Sequence, residues 1–329
     1  MIWEQHFEKE LFNAWIKAGF PNYEEYIGLY VELREHKKHQ SSWLKEIKEI
    51  LPGVSGNQLH SVYGFGVVYG KIIAGLLNLN EEDVMKSFDW CGRLNLGISL
   101  FDHLCDNHNG LEKIKELPAF SMFYNNRKAV NPKTDSEILL NDLARSVLTD
   151  VKQLGIESQS IMVSIYQMYQ AEIFISSEEI HDLRELNKVK KALYLKSALP
   201  FKVMAEYLSA SIEVKDASLV EKAKMIGEVL GYFYWMIDDA RDVWDDLTEG
   251  HWNWVLYKTF ELDPSIIQSY HASLMKEELS FLWKEKRLTE IIINNTIHKI
   301  KTLFQWPLNK EQEIALGLFG ASLWMWWKY

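Results

Sequence analysis

The chain has 329 residues, and its 36 basic and 46 acidic side chains give a formal net charge of −10 at pH 7. Hydrophobic residues make up 47% and charged residues 25%, a composition that excludes a disordered chain. The negative charge argues against a nucleic acid as partner, because binding a phosphate backbone requires a basic surface. An anionic ligand remains compatible with this charge if metal ions offset it. Thirteen tryptophans are the unusual part of the composition.

The sequence predicts a protein of a reducing compartment, most simply the cytoplasm. The two cysteines, Cys91 and Cys105, form no CxxC pair and no disulfide framework. The first ten residues carry charges, unlike a secretory signal, and no run reaches the 18 or so apolar residues of a membrane span. The longest uncharged stretch near the C-terminus, residues 314–327, predicts a buried terminal helix. A pocket wall or an interfacial anchor are the alternatives for this stretch.

Helical periodicity dominates the chain, and strand signals are scarce. The first well-marked helix spans 81–101 and follows Asn80, a residue that favours the N-cap position. The stretch 107–134 is rich in Asn, Gly, Pro and Lys and predicts a long loop. Further helices are expected over 135–154 and 217–247. With no internal repeat or linker, the pattern predicts one all-α domain over 1–329, a bundle of about ten helices.

Five aspartates lie within nine positions near the end of the helix predicted over 217–247. Three of them, spaced by four residues, share one helix face, where like charges repel. Arg241 is the only basic residue among them. Clustered carboxylates without matching cations favour a hard divalent metal such as Mg²⁺ over an acidic surface patch, which is the alternative. The five are Asp238, Asp239, Asp242, Asp245 and Asp246.

A second acidic pair, Asp102 and Asp106, lies four residues apart at the end of an apolar helix. The two clusters together predict opposing metal sites that could hold several Mg²⁺ ions against a diphosphate. Metal ions on the phosphate oxygens would make the diphosphate a better leaving group.

With these two clusters the sequence resembles the class I isoprenoid synthases, the superfamily of trans-prenyltransferases (polyprenyl synthetases) and terpene synthases. Asp102 and Asp106 resemble the first aspartate-rich motif, and Asp238, Asp239 and Asp242 the second, DDxxD. The resemblance implies an all-α bundle around a deep apolar cavity, three Mg²⁺ ions and a prenyl diphosphate substrate. It implies that Asp102, Asp106, Asp238 and Asp242 are catalytic through metal, and it leaves open whether Asp239 or Asp246 completes the second metal site.

Three side chains are expected at the diphosphate. Lys196, followed by Ser197, resembles the lysine of a Lys-Thr pair that contacts diphosphate in this superfamily. Gln170 resembles a glutamine on the intervening helix, and Arg241 is a candidate helper of Lys196.

Three further side chains are expected at the prenyl chain. Gly97 and Ile98 match the positions that set pocket depth, and because neither is aromatic a substrate of C15 or longer is expected. Trp235 stands three residues before the second motif, where many members have glutamine, and its ring could stabilise a carbocation.

The departures from the superfamily favour cyclisation. Chain-elongating members hold isopentenyl diphosphate with a basic segment, and the match identified here is residues 69–75, in which Gly70 and Lys71 remain without the arginines. The stretch directly after the first motif, residues 107–117, contains no arginine. The sequence therefore predicts a terpene synthase that ionises a linear prenyl diphosphate, cyclises the cation and releases diphosphate.

The alternative is a trans-prenyltransferase that elongates with isopentenyl diphosphate or alkylates another acceptor. A third hypothesis is a non-catalytic or di-iron helical protein, since Glu178 and His181 form one half of a di-iron ExxH signature. The resemblance also leaves a homodimer and peripheral membrane contact through the terminal tryptophans open as hypotheses.

Overall fold

The computed structural model describes residues 3–36, 56–107, 118, 131–155, 158–177, 186–212, 216–249, 251–262, 283, 287–304 and 306–328. Across these residues the structure is helical and contains no β-strand, which confirms the predicted all-α class. Glu178 and His181 lie outside the described residues, as does most of the predicted loop 107–134.

The described residues form twelve α-helices and one short 3-10 helix, Tyr23–Tyr26, which leads into the second α-helix. In chain order the α-helices are α1 Trp3–Lys17, α2 Ile27–His36, α3 Gly56–Leu77, α4 Glu81–Asn107, α5 Asp135–Gln153, α6 Ser158–Ser177, α7 Leu186–Ser197, α8 Leu199–Ala210, α9 Ala217–Glu249, α10 Trp254–Leu262, α11 Leu288–Leu303 and α12 Lys310–Lys328.

The helix starts follow local capping rules. Asn80 Oδ1 accepts a hydrogen bond from the Glu82 backbone N–H at 3.3 Å, so α4 begins where the sequence predicts. Helix α5 is capped by Thr134, whose side chain and that of Glu137 form a reciprocal capping box. Helix α4 continues six residues beyond its predicted end at residue 101, through both aspartates of the first motif.

Helices α3 and α4 are antiparallel neighbours in close contact. A Cβ atom at Gly66 would lie 2.5 Å from the Cys91 carbonyl oxygen, so only glycine permits this approach. Asn95 Nδ2 also donates to the Val62 carbonyl oxygen at 2.8 Å. The contacts join early residues of α3 to late residues of α4. The start of α3 is therefore level with the end of α4, where Asp102 lies.

Helices α8 and α9 pack with similar closeness. A Cβ atom at Gly231 would lie 2.6 Å from the Ala198 carbonyl oxygen and 2.7 Å from Phe201 Cβ. Ala198 joins α7 to α8, two residues after Lys196. This packing holds the end of α7 beside the stretch of α9 that leads to Asp238.

The terminal helix α12 is buried over residues 315–323, as predicted. Its last turn stacks on α1, where the rings of Trp327 and Phe7 lie 5.2 Å apart. Within the described residues one segment, Leu59–Leu77 of α3, is long and apolar enough to cross a membrane by composition alone. Of its most apolar window 78% is buried inside the protein, as in a core helix.

Candidate active site

The first motif is joined to two other helices through Lys196. The Lys196 ammonium, at the end of α7, lies 3.1 Å from Asp102 Oδ1 on α4 and 2.8 Å from Glu172 Oε1 on α6. Glu172 is buried, whereas 41% of the Asp102 side chain is open to solvent. The lysine therefore bridges a buried carboxylate and an accessible one.

The second motif is held by Arg241 and by the C-terminal helix. Arg241 Nε and Nη2 donate to the two oxygens of Asp242 at 2.7 and 3.0 Å, and Nη2 lies 3.6 Å from Asp238 Oδ1. Arg241 Nη1 donates to the Trp326 carbonyl oxygen at 2.8 Å. The Trp326 indole N–H in turn donates to Asp238 Oδ1 at 2.8 Å. Helix α9 is thus fastened at its aspartates to the last turn of α12.

Asp102, Glu172, Lys196 and Asp238 line one shared cavity, so the structure brings the two motifs together. Its volume is about 140 Å³, below the several hundred Å³ of a typical ligand pocket. The deep apolar cavity that the sequence predicts is therefore not seen within the described residues.

The wall of this cavity is aromatic. The Phe65 ring lies 5.0 Å from both Tyr234 and Trp326, and Phe201 stacks on Tyr234 at 4.9 Å. Trp235 completes the aromatic lining. Phe65, Phe201 and Tyr234 were not predicted from the sequence, because helix periodicity marks them as core residues without showing that they line the same cavity.

Two other tryptophans, Trp244 and Trp327, pack against core residues away from the cavity. Trp244 packs against Trp283 at 5.1 Å, and Trp327 bonds to Glu8 of α1 as well as stacking on Phe7.

Asp239 and Asp246 fasten the connection between α9 and α10. Asp239 Oδ2 accepts hydrogen bonds from the Trp235 indole N–H at 2.7 Å and the Trp254 backbone N–H at 2.5 Å. Asp246 Oδ2 accepts from Asn253 Nδ2 at 2.6 Å. Neither residue lines the cavity shared by Asp102 and Asp238. These contacts assign both aspartates to the local fold of α9 and α10, and their role as metal ligands stays a prediction.

Burial, together with the charge of neighbouring carboxylates, raises the pKa values of the aspartates in the second motif. Withdrawal from water and the charge of Asp242 raise the pKa of Asp238, while withdrawal from water and the charge of Asp238 raise that of Asp239 well above its usual value. Burial raises the pKa of Asp246 to about 6, against the hydrogen bond from Asn253. Burial alone would lower the pKa of Lys196, but Glu172 and Asp102 outweigh it, so the ammonium stays charged.

The donor set suits a hard divalent cation but is incomplete among the described residues. No group of three His, Cys, Asp or Glu side chains that could hold a metal occurs in the described part of the chain. Asp102 and Asp238 supply carboxylate oxygens to one cavity, and a divalent cation would favour the charged form of Asp238, whose pKa is raised by burial and by the charge of Asp242. Asp106 lies in the last turn of α4, and its side chain is outside the described set.

Gln170 does not join the cluster. Its exposed side chain bonds to the Tyr166 hydroxyl and lines a separate groove with Lys188 and Lys191. Glu172, two residues on and about 200° around α6, occupies the position beside Lys196 instead. The structure therefore places Gln170 apart from Lys196 and the two motifs, and its role at the diphosphate stays a prediction.

Gly70 and Lys71 lie at the far end of the bundle. Lys71 forms an ion pair with Glu81 at the start of α4. Asp102 is 21 residues further along that helix, about 30 Å away at 1.5 Å per residue. Residues 69–75, which the sequence comparison matches to the basic segment that holds isopentenyl diphosphate, therefore lie far from the first motif. The end of α3 that lies level with Asp102 is its start, at Gly56.

Gly97 and Ile98, the two residues expected to set the depth of the pocket, lie on different faces of α4. Ile98 lines the cavity, whereas Gly97 does not, and their role in setting pocket depth stays a prediction. A Cβ atom at Gly97 would meet Leu143 and the Tyr169 hydroxyl, each at 3.9 Å.

Comparison with known proteins identifies the fold. No protein-family profile and no curated protein sequence matches the chain. Solved structures of prenyl diphosphate synthases do match over almost the whole length. Octaprenyl pyrophosphate synthase from Helicobacter pylori is 14% identical with a TM-score of 0.53, covering 91% of this chain and 97% of that one.

Two further solved structures match the fold of this chain. Geranylgeranyl pyrophosphate synthetase from Pyrococcus horikoshii is 13% identical with a TM-score of 0.53, covering 91% of this chain and 98% of its own. Polyprenyl synthase from Caulobacter crescentus, complexed with calcium and isoprenyl diphosphate, is 14% identical with a TM-score of 0.52, covering 96% and 97%. The chain therefore shares the all-α fold of these prenyl diphosphate synthases.

Proposed function

We propose that this protein is an enzyme that ionises a prenyl diphosphate between its two aspartate motifs. The observation that carries the proposal is the shared cavity, in which Lys196 with Asp102 on one side faces Asp238 on the other. Of the Asp238 side chain 44% is open to solvent, close to the 41% of Asp102, so a ligand can reach both. The fold of the prenyl diphosphate synthases supports the same assignment.

Lys196 would bind the diphosphate. Asp102 and Glu172 keep it protonated and fix its ammonium at the cavity, so its position is set before substrate arrives. Mg²⁺, when bound to Asp102 and Asp238, supplies positive charge that makes diphosphate a better leaving group. Asp106 and Asp242 are the further candidates for holding it.

The aromatic wall would protect the cation that ionisation produces. When the C–O bond breaks, its electron pair leaves with the diphosphate and an allylic cation remains. Phe65, Tyr234 and Trp326 line the cavity, and their rings would offer cation–π stabilisation and help to exclude water that would quench the cation.

Transfer of the prenyl group to isopentenyl diphosphate is the reaction we favour, with loss of a proton from the adduct. The similar folds belong to synthases of this kind. The missing arginines of residues 69–75 do not count against a second diphosphate site near the motifs, because Lys71 is remote from them. Cyclisation is the second candidate, and the aromatic enclosure of the cavity is the observation that favours it.

Product analysis separates these reactions. The protein is incubated with geranyl, farnesyl or geranylgeranyl diphosphate and Mg²⁺, with and without isopentenyl diphosphate. We expect longer prenyl diphosphates only when isopentenyl diphosphate is present. A hydrocarbon formed from one substrate alone would establish cyclisation instead.

The aspartate variants identify the site. Asp102→Asn and Asp238→Asn should each reduce diphosphate release at least 100-fold. Asp83→Asn, an exposed change in the first turn of the same helix as Asp102, is the control and should match the wild type. Absence of diphosphate release from every substrate would contradict an enzymatic function of this kind.

A further inference from the structure

We propose that Arg241 is a built-in counterion of the second motif, which divalent metal ions must displace from Asp242 and Asp238 before they bind. The inference rests on the proposed function, because it concerns the metal on which that reaction depends. It assigns Arg241 a positioning role at the motif itself, beyond the role of helper at the diphosphate.

The geometry of Arg241 is that of a bidentate pair. Its Nε and Nη2 atoms engage one oxygen each of Asp242, at 2.7 and 3.0 Å. Paired N–H donors of this kind match a carboxylate in both charge and shape, and are stronger than hydrogen bonds between neutral groups. Both oxygens of Asp242 are therefore occupied.

The same guanidinium reaches the other carboxylate of the motif. Nη2 lies 3.6 Å from Asp238 Oδ1, the oxygen that also accepts the Trp326 indole hydrogen bond. A metal ion needs these same oxygens, because a carboxylate oxygen is its preferred ligand. Arg241 and a divalent cation consequently compete for one set of acceptors.

Displacement would not remove Arg241 from the site. Its third nitrogen, Nη1, is held 2.8 Å from the Trp326 carbonyl oxygen on α12. A guanidinium released by Asp242 stays tethered there, with Nε and Nη2 free to meet the oxygens of an incoming diphosphate. Lys196 is arranged in a similar way, because it forms ion pairs with Asp102 and Glu172 on the other side of the cavity.

Metal binding without any prenyl diphosphate tests the inference. Mn²⁺ is titrated into the wild type and the variants, and free Mn²⁺ is measured by electron paramagnetic resonance. Arg241→Met removes the competing charge and should bind Mn²⁺ about five- to tenfold more tightly, the size expected from losing one half-exposed ion pair. Adding Asp238→Asn to Arg241→Met should abolish the gain, which places the ion at the second motif.

Two further variants control the experiment. Arg241→Gln keeps an amide donor for the Trp326 carbonyl without the charge, and replaces Arg241→Met if that variant fails to fold. Arg145→Met removes an exposed arginine from α5 and should bind Mn²⁺ as the wild type does. Mn²⁺ should also raise the Tm of the Arg241 variants more than that of the wild type, because tighter binding stabilises the folded state further.

The outcomes separate the inference from the proposed function. Equal Mn²⁺ affinity in the wild type and both Arg241 variants, abolished in each by Asp238→Asn, would overturn the counterion role and leave the metal site intact. Weaker binding by the Arg241 variants would also overturn it. Failure of every variant to bind Mn²⁺ would overturn both the counterion role and the metal-dependent reaction.

Discussion

The indole nitrogen of Trp326 donates a hydrogen bond to Asp238 across 88 positions of the chain, at 2.8 Å. It joins the last turn of α12 to the second motif, and the Trp326 ring also forms part of the cavity wall. One side chain therefore orients a candidate metal ligand and shapes the space for the prenyl chain.

Trp326→Phe should reduce kcat for diphosphate release about tenfold, because it keeps a ring in the wall but removes the N–H bonded to a carboxylate. Trp327→Phe is the matched control. Its indole bonds to Glu8 at 3.2 Å, away from the cavity, and kcat should stay within about twofold of the wild type. Equal losses in the two variants would mean that α12 stability, and not the bond to Asp238, sets the rate.

Replacement of Lys196 should impair catalysis, whereas replacement of Lys71 should not. Lys196→Met should lower kcat/KM for the prenyl diphosphate roughly 100-fold, since a charged contact to diphosphate is lost. Lys71→Met should leave kcat/KM for both the prenyl and the isopentenyl diphosphate within about twofold, because its ion pair with Glu81 lies about 30 Å from Asp102. A large increase in KM for isopentenyl diphosphate in Lys71→Met would instead indicate that residues 69–75 bind this second substrate.

The free energy of unfolding should depend on Asp246 between pH 4 and pH 6. Its pKa is about 6 in the folded protein and higher than in the unfolded chain. The folded state therefore binds the proton more tightly, and the resulting stabilisation is lost as the pH rises towards 6. Asp246→Asn removes this loss, so its stability relative to the wild type should increase from pH 4 to pH 7 by roughly 1–2 kcal/mol.

Urea denaturation in the presence of EDTA measures this difference at each pH. Asp245→Asn, an exposed neighbour, is the control and should show no such trend. A constant difference between Asp246→Asn and the wild type across the range would show that Asp246 does not hold its proton in this way.

The chain length accepted by the enzyme should depend on Ile98. Ile98→Phe adds volume inside a cavity of about 140 Å³. It should shift selectivity from farnesyl to geranyl diphosphate about tenfold in kcat/KM, since the larger ring takes the space of the longer chain. Gly97→Ala points towards Leu143 and Tyr169 and should leave this ratio unchanged. A shift in Gly97→Ala equal to that in Ile98→Phe would move the depth-setting position to the other face of α4.

The sequence by itself determined the helical class and the two acidic motifs. Both depend on short-range rules, namely the 3.6-residue repeat, the cap at Asn80 and the spacing of aspartates by four along one helix. These patterns can be recognised without knowing which helices pack against the one that carries them. Asp238 belongs to the second of these motifs, whereas Lys196 was predicted only from its resemblance to the lysine of a Lys-Thr pair.

Only the tertiary structure decided which side chains meet those residues. Glu172 and not Gln170 contacts Lys196, because the rotation of α6 about its axis is set by its packing against α7 and α8. Trp326, which bonds to both Arg241 and Asp238, comes from α12, far along the chain. The rotation and register of a helix depend on many side chains at once. A shift of two positions along one helix is enough to turn a carboxylate away from its partner.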